Sequence, residues 1–569
     1  MTRILTARIV GLGLLFAFAA ASISVLPAAP SFASAPWTQI GVDIDGEAAD
    51  DQSGRSVSLS ADGSRVAISA PLNGFAGSNA GRVRIYDFIG SEWVQVGADI
   101  DGEAAGDESG RSVSLSADGS RVAISATGND GAGSDAGHVR IYDFNGSAWV
   151  RVGADIDGEA AGDESGRSVS LSADGSRVAI GAAFADRNVV SNDNAGHVRI
   201  YGFNGSAWVQ VGADIDGEAA GDESGRSVSL SADGSRVAIG TELNDGAGSN
   251  AGHVRIYGFN GSAWVRVGAD IDGEAAGDES GGSVSLSADG SRVAIGAAFN
   301  DGAGSNAGHV RIYDLIADAW VQVGADIDGE AADDRSGGSV SLSADGSRVA
   351  IGAELNGGAG SNAGHVRIYG FNGSAWVRVG DDIDGEAAGD FSGFPVSLSG
   401  DGSRVAIGAQ FNGGAGRDAG HVRVYSSTAP NVSPVFSSGT AGSGVAGVAS
   451  SVYTAVASDA DNDTVTYTLG SAVAGFTINS STGVVSMGAG VVAGSYVLSV
   501  VASDGTASVT QVVTVTVSAA PNVSPVFTSG LTGSGVAGVA SSVYTAVASD
   551  ANGDTVTYLL GSAVAGFTI

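Results

Sequence analysis

Tryptophan stands at 37, 93, 149, 208, 264, 320 and 376 and nowhere else in the chain, at spacings of 56, 56, 59, 56, 56 and 56 residues. Self-similarity at a fixed period of this length restricts the chain to architectures in which one small unit stacks on copies of itself. In the second copy, Arg111–Ser116, Arg121–Ala126, His138–Phe144 and Trp149–Gly153 alternate apolar and polar residues with period two, the pattern of pleated strands. Asp118-Gly119 and Asn145-Gly146 separate the first and last pairs with dipeptides that favour tight hairpins. Each copy therefore reads as a four-stranded antiparallel meander, the unit of a β-propeller blade.

The ends of the array predict a closed ring. The segment Trp37–Gly41 precedes any copy of the other three strands, and the last copy stops after His421–Tyr425 without a tryptophan strand of its own. Seven sets of three strands match seven tryptophan strands only if the N-terminal strand completes the last blade, which also removes two open sheet edges. The alternative, an open solenoid, calls for distinct capping repeats, and none is visible. Val113, Leu115, Val122, Ile124, Val139 and Ile141 form the expected packing set of the second blade.

Composition narrows the function. Glycine numbers 91 and proline 9, and the net charge is −35 with every one of the 27 basic residues an arginine. A polyanion of this kind repels phosphate backbones, which argues against a nucleic-acid partner. With no cysteine, disulfide scaffolds, thiol catalysis and cysteine-ligated metals are excluded. Arg3 and Arg8, then the apolar run from Ile9 to about Ala21, then Ser31-Phe32-Ala33, have the order of a secretory signal peptide, expected to occupy residues 1–33. No other stretch is long and apolar enough for a membrane helix.

The run Gly-Asp-x-Ser-Gly-x-Ser-Val-Ser-Leu-Ser-x-Asp-Gly-Ser-Arg-Val-Ala-Ile-Gly-Ala resembles the FG-GAP propeller repeats that also build integrin α heads, over residues 37–425. The family's Phe is replaced by Ser in Ser53-Gly54 and its equivalents, and the Pro of its second motif survives only in Ser69-Ala70-Pro71. Integrin-like blades carry a calcium loop before that strand. Here the position is Ala61-Asp62-Gly63-Ser64, a tight turn with one carboxylate, so that site does not carry over.

Antiparallel order places the blade-to-blade loop and the long loop between the middle strands on one face. That face holds Asp99, Asp101, Glu103, Asp107 and Glu108 in the second copy, with near-copies in the others. Asp99-x-Asp101-Gly-Glu103 offers oxygen ligands to a hard cation but lacks a full ligand set, which favours a solvated acidic face. All six histidines (138, 197, 253, 309, 365 and 421) fall at one repeat position, where the first copy has Arg82. A position that tolerates arginine reads as structural or surface. No metalloprotease, serine-elbow or phosphate-loop motif occurs, and the chain reads as no enzyme.

Residues 426–430 read as a linker. Beyond it, Ala429–Phe436 recurs as Ala520–Phe527, a second repeat of 91 residues. Its β-rich segments predict a sandwich over 431–518 and a partial second one over 522–569. Ala457-Ser458-Asp459-Ala460-Asp461-Asn462-Asp463, Phe476-Thr477-Ile478, Ser481-Thr482-Gly483 and Ala502-Ser503-Asp504-Gly505 resemble the dystroglycan-type cadherin-like and Ig-like modules of bacterial surface proteins. The resemblance implies calcium, with Asp459, Asp461, Asp463 and Asp504 as its carboxylates; turns stabilised by Asp without metal are the competing reading.

The expected fold is thus all-β, a seven-bladed propeller followed by β-sandwich modules. The expected role is a secreted or cell-surface adhesion protein with a protein or glycan ligand. Membrane association would come only through an anchor beyond Ile569. A carbohydrate-binding or structural part of a larger secreted enzyme or envelope protein is the alternative.

Overall fold

The computed structural model describes residues 36–186, 193–427, 433–459, 463–505 and 507–569. The expected signal peptide lies outside them. They divide into two compact units, one ending at Ala429 and one beginning at Pro430.

In blade 2, Ser109–Leu115 pairs with Arg121–Ala126, which pairs with His138–Phe144, which pairs with Trp149–Arg151, all antiparallel. All seven sheets of the first unit repeat this order. The outermost strand has a second piece that sequence patterning missed: Ile156–Asp157 pairs with Val139 and His138 further along the same neighbour. The strand breaks because Gly153 takes φ 80°, and a Cβ there would lie 2.9 Å from Cδ1 of Trp208 in the next blade. One glycine thus interrupts the strand and seats the neighbouring indole.

Closure occurs where the tryptophan count requires it. Trp37, Thr38 and Gln39 pair with Ser427, Ser426 and Tyr425, and Ile44 and Asp45 pair with Val422 and His421. This corrects the expected linker at 426–430: Ser426 and Ser427 belong to the last strand, His421–Ser427, because the N-terminal segment supplies their hydrogen-bonding partner. Residues 428–430 fall outside the described residues.

Inter-blade hydrogen bonds run the full circle. The Leu115 amide donates to Ser58 Oγ at 3.0 Å, and the same bond recurs from Leu171 to Ser114, Leu230 to Ser170, Leu286 to Ser229, Leu342 to Ser285 and Leu398 to Ser341. Leu59 to Ser397, 3.0 Å, closes it. A backbone circle runs beside it, from Ala61 N–H to the Ala117 carbonyl (2.8 Å) and on to Gly400 N–H, which returns to the Ala61 carbonyl at 2.7 Å. A third belongs to the indoles: Trp149 Nε1 donates to the Val96 carbonyl and Trp37 Nε1 to the Val379 carbonyl, both 2.9 Å.

The core lies between blades. Val113, Leu115, Val122 and Ile124 pack with Val83 and Ile85 of blade 1, whereas Val139 and Ile141 pack with Val169, Leu171, Val178 and Ile180 of blade 3. Period-two alternation thus gives each blade two apolar faces, which only a ring covers. Replacing Ser114 with Ala should leave the buried Leu171 amide without its acceptor. The expected loss is about 1–3 kcal/mol, read as a lowered urea midpoint at unchanged slope.

In the second unit, Ala441–Val445, Ser508–Ser518, Gly494–Ser503 and Thr466–Leu469 form one sheet in that order, the first pair parallel. It faces Ser450–Thr454, Val484–Met487 and Phe476–Ile478 over a core that includes Tyr453, Tyr467, Phe476, Val485, Leu498 and Val515. The Tyr453 hydroxyl donates to the Gly439 carbonyl at 2.7 Å. Residues 522–569 pair only Val526–Phe527 with Ala548–Ser549. There Tyr544, the counterpart of Tyr453, is exposed.

Candidate binding face at the propeller axis

The innermost strands surround the axis, and their N-terminal ends open on the face that carries the long loops. Near-identity between copies breaks down sharply here. The series starting at Gln52 runs Gln, Glu, Glu, Glu, Glu, Arg335, Phe391. The series starting at Arg55 runs Arg, Arg, Arg, Arg, Gly282, Gly338, Phe394, and the series starting at Pro71 includes Glu242, Glu354 and Gln410. Charge and bulk therefore change around the mouth of the ring while the scaffold beneath repeats.

The arginines of blades 1 to 4 crowd one side. Burial, reinforced by Arg111, Arg167 and Arg226, pushes Arg55 down to about 9. Burial and the same kind of repulsion push Arg167 down to about 10. On the other side, glycines at 282 and 338 leave a cavity of about 250 Å³ lined by Arg226, Glu242, Phe299, Arg335, Glu354 and Phe394. Arg226 Nε meets Glu242 Oε1 at 2.8 Å, and Arg335 lies 4.6 Å from the Phe299 ring centre. Burial raises Glu242 to about 7, opposed by Arg226. Burial likewise raises Glu354 to about 7, and its Oε2 meets no hydrogen-bond partner among the described residues. The mouth thus offers two carboxyls that titrate near neutrality, two guanidiniums and two aromatic rings. This site escaped sequence reading, although the Arg-to-Gly-to-Phe series was there to be aligned.

The acidic face proves heterogeneous rather than uniformly solvated. Asp107 is buried and accepts from the Glu103 and Ala104 amides at 3.2 and 3.0 Å, a loop-closing role. Glu103 pairs with Arg140 of the next blade, and Glu108 turns toward the axial arginines. The histidines, expected to be structural or superficial, are buried: His309 and His421 are each 1% exposed. Asp62 matches the tight-turn reading, accepting from the Ser64 amide at 2.9 Å and from Ser60 Oγ at 2.6 Å.

In the module, the Asp463 amide donates to Asp459 Oδ1 at 3.3 Å, and Asp504 Oδ1 accepts from the Ala507 amide at 2.6 Å. Pairing of Thr466 with Ser503 brings Asp463 and Asp504 to the same end of one sheet. Asp461 lies outside the described residues. The oxygen-only donor set suits calcium, and the observed bonds equally satisfy the turns themselves.

These features define an all-β protein, a closed seven-bladed propeller followed by sandwich-type sheets. No family model matches the chain, and no curated protein matches it. Among solved structures it is similar to the periplasmic gluconolactonase PpgL of Pseudomonas aeruginosa, at 16% identity over 58% of this chain and 85% of that one, with a TM-score of 0.40. It is similar to the β-propeller domain of the trilobed protease from Pyrococcus furiosus, at 10% identity over 66% and 91%, TM-score 0.34. Human protocadherin-24 EC1-2 matches at 22% identity over 21% and 61%, TM-score 0.16.

Proposed function

We propose that this chain is a secreted or cell-surface binding protein, not an enzyme, whose propeller presents its axial mouth to a protein or glycan ligand. The cadherin-like module acts as a calcium-associated stalk. The observation that carries the reading is the replacement of Arg by Gly282 and Gly338 in an otherwise repeating ring, which opens one asymmetric cavity on one face. Copies that served only packing would have no reason to differ there. The FG-GAP-like motif and the signal-peptide pattern support an extracellular setting, with Asp459, Asp461, Asp463 and Asp504 as the calcium ligands.

A carbohydrate-binding reading draws on Phe299 and Phe394 beside carboxyls in a cavity sized for one sugar ring. The seven indoles offer it no support, since their Nε1 atoms are spent on inter-blade carbonyls.

The test uses the full chain on a glycan array and on a panel of matrix proteins, with and without EDTA, beside Gly338→Arg. That variant restores the arginine of blades 1 to 4 and should pair with Glu354 as Arg226 pairs with Glu242. Binding should fall at least tenfold in the variant at unchanged melting temperature. Matrix binding abolished by EDTA supports adhesion and glycan binding supports the second reading. Undiminished binding by Gly338→Arg removes the axial mouth as the site.

A further inference from the structure

Outside the axis, each blade has a second cluster on the same face, where the third strand begins. In blade 5, His309 Nδ1 stands 3.9 Å from Glu274 Oε2 and 3.9 Å from Asp326 Oδ2. In blade 7, His421 Nδ1 stands 3.7 Å from Asp43 Oδ2 and 3.8 Å from Glu386 Oε2. Glu159, His197 and Asp214 of blade 3 bring ligand atoms within 4.8 Å of one another, as do the corresponding residues of blades 2 and 4. These separations exceed hydrogen-bond length and leave room for an ion between imidazole and carboxylates. The side chains of His309 and His421 are 2% exposed. Nε2 of His197, His253, His309, His365 and His421 alike meets no hydrogen-bond partner among the described residues, so charge balance and not this atom separates the blades. A buried imidazole whose Nδ1 faces two carboxylates at 3.7–3.9 Å, beyond hydrogen-bond length, is a ligand arrangement rather than a packing one.

Blade 1 provides the internal control. Its Arg82 replaces the histidine, and the guanidinium sits on the equivalent acids, pairing with Glu47 and lying 2.9 Å from Asp99 Oδ2. A positive charge at this point is therefore part of the repeat's design, supplied covalently in one copy.

Charge balance separates the remaining six. Every blade has an arginine two residues after this position, such as Arg311 at 3.4 Å from Glu274. In blades 2, 4 and 6 a second arginine neutralises the aspartate: Arg151 to Asp155 at 2.9 Å, Arg266 to Asp270 at 2.8 Å and Arg378 to Asp382 at 3.0 Å. In blades 3, 5 and 7 an uncharged glutamine takes that place, bonding Asp214 at 2.5 Å, Asp326 at 2.6 Å and Asp43 at 2.6 Å. Leaving aside the aspartate that follows in all seven, the two carboxylates are balanced by two arginines in blades 1, 2, 4 and 6. In blades 3, 5 and 7 they face one.

We propose that blades 3, 5 and 7 each bind a divalent transition-metal cation of the zinc class, held by Glu159, His197 and Asp214, by Glu274, His309 and Asp326, and by Glu386, His421 and Asp43. One imidazole nitrogen with two carboxylate oxygens suits zinc, manganese or cobalt, whereas calcium takes oxygen alone. The sites tie the blade-to-blade loop to the outer strand of the following blade. In blade 7 the site includes the N-terminal clasp through Asp43.

The test is zinc titration of the EDTA-stripped full chain at pH 7.5, followed by desalting and elemental counting. Three equivalents should be retained, undisplaced by a hundredfold excess of calcium. His309→Arg, which installs the residue blade 1 already tolerates, should lose one equivalent while keeping the metal-free melting temperature. Arg82→His should gain one, since Gln95 already bonds Asp99 at 2.6 Å. Retention of no zinc, of six equivalents, or of three in His309→Arg would each overturn the assignment, and displacement by calcium would overturn the nitrogen-ligand class.

Discussion

Deleting residues 36–45 should cost the propeller about 5 kcal/mol or more, a large share of the stability of an ordinary domain. The segment contributes the backbone pairing of Trp37–Gln39 and of Ile44–Asp45 to the last blade. Ile44, 6% exposed, sits in the cluster between blades 7 and 1. Its burial is worth about 1.5–3 kcal/mol, and each backbone bond adds about 0.5–1.5 kcal/mol. Trp37 adds its packing against Tyr425 and its bond to the Val379 carbonyl. The deletion also leaves His421–Ser427 as an edge strand, so concentration-dependent association should accompany the lower urea midpoint. Size-exclusion chromatography beside the denaturation curve separates the two effects. An unchanged midpoint with a monomeric profile would mean that the last blade does not need the N-terminal strand.

The axial carboxyls should produce the second-largest effect, and it depends on pH. Glu354 titrates near 7 in the fold against a reference of 4.5, with burial as the main cause. The folded state therefore binds a proton more tightly than the unfolded chain. The stability this confers is complete below pH 4.5 and is lost as pH rises through about 7. Above that, keeping the carboxylate buried costs about 3 kcal/mol at 1.36 kcal/mol per unit. Glu354→Gln should remove this cost, raising the urea midpoint at pH 8.5 by up to that amount and leaving it unchanged at pH 4.5. Glu242→Gln should follow the same course with a smaller gain, because Arg226 loses one of its two carboxylate partners and keeps only Glu223. The buried histidines run the other way. Burial lowers His309 and His421 from 6.5, so their share of stability is present above pH 6.5 and lost as pH falls. The glutamine variants isolate the carboxyl contribution from that opposing trend. Equal shifts at both pH values would show that Glu354 and Glu242 act through packing and not through charge.

Much of the fold was legible because the repeat is so regular. Period-two runs such as Arg-Val-Ala-Ile and His-Val-Arg-Ile-Tyr, bounded by Asp-Gly and Asn-Gly, specify hairpins through local chemistry alone. The unmatched tryptophan strand at the start of the array and the copy that lacks one at its end specified closure by counting. The outer strand's second piece was not legible, because a two-residue ladder such as Ile156–Asp157 has too little pattern to register and depends on the break at Gly153. The end of the propeller at Ser427, rather than 425, was hidden for a related reason: Ser426 and Ser427 have no strand character until Trp37 and Thr38 lie beside them. The acidic surroundings of the histidines were not legible, for want of distance information. A position that admits both His and Arg looks permissive in one dimension, and only the fold places Glu274 and Asp326 against His309.

By itself the sequence determined the strands, the blade count, the meander within each copy and the sandwich pattern after it, since these follow from alternation and turn chemistry between near neighbours. Tertiary structure alone decided which acids are buried, which are paired and which face a histidine, and where the copies' differences converge. Those properties depend on residues from separate blades meeting across the ring, a juxtaposition that no local periodicity encodes.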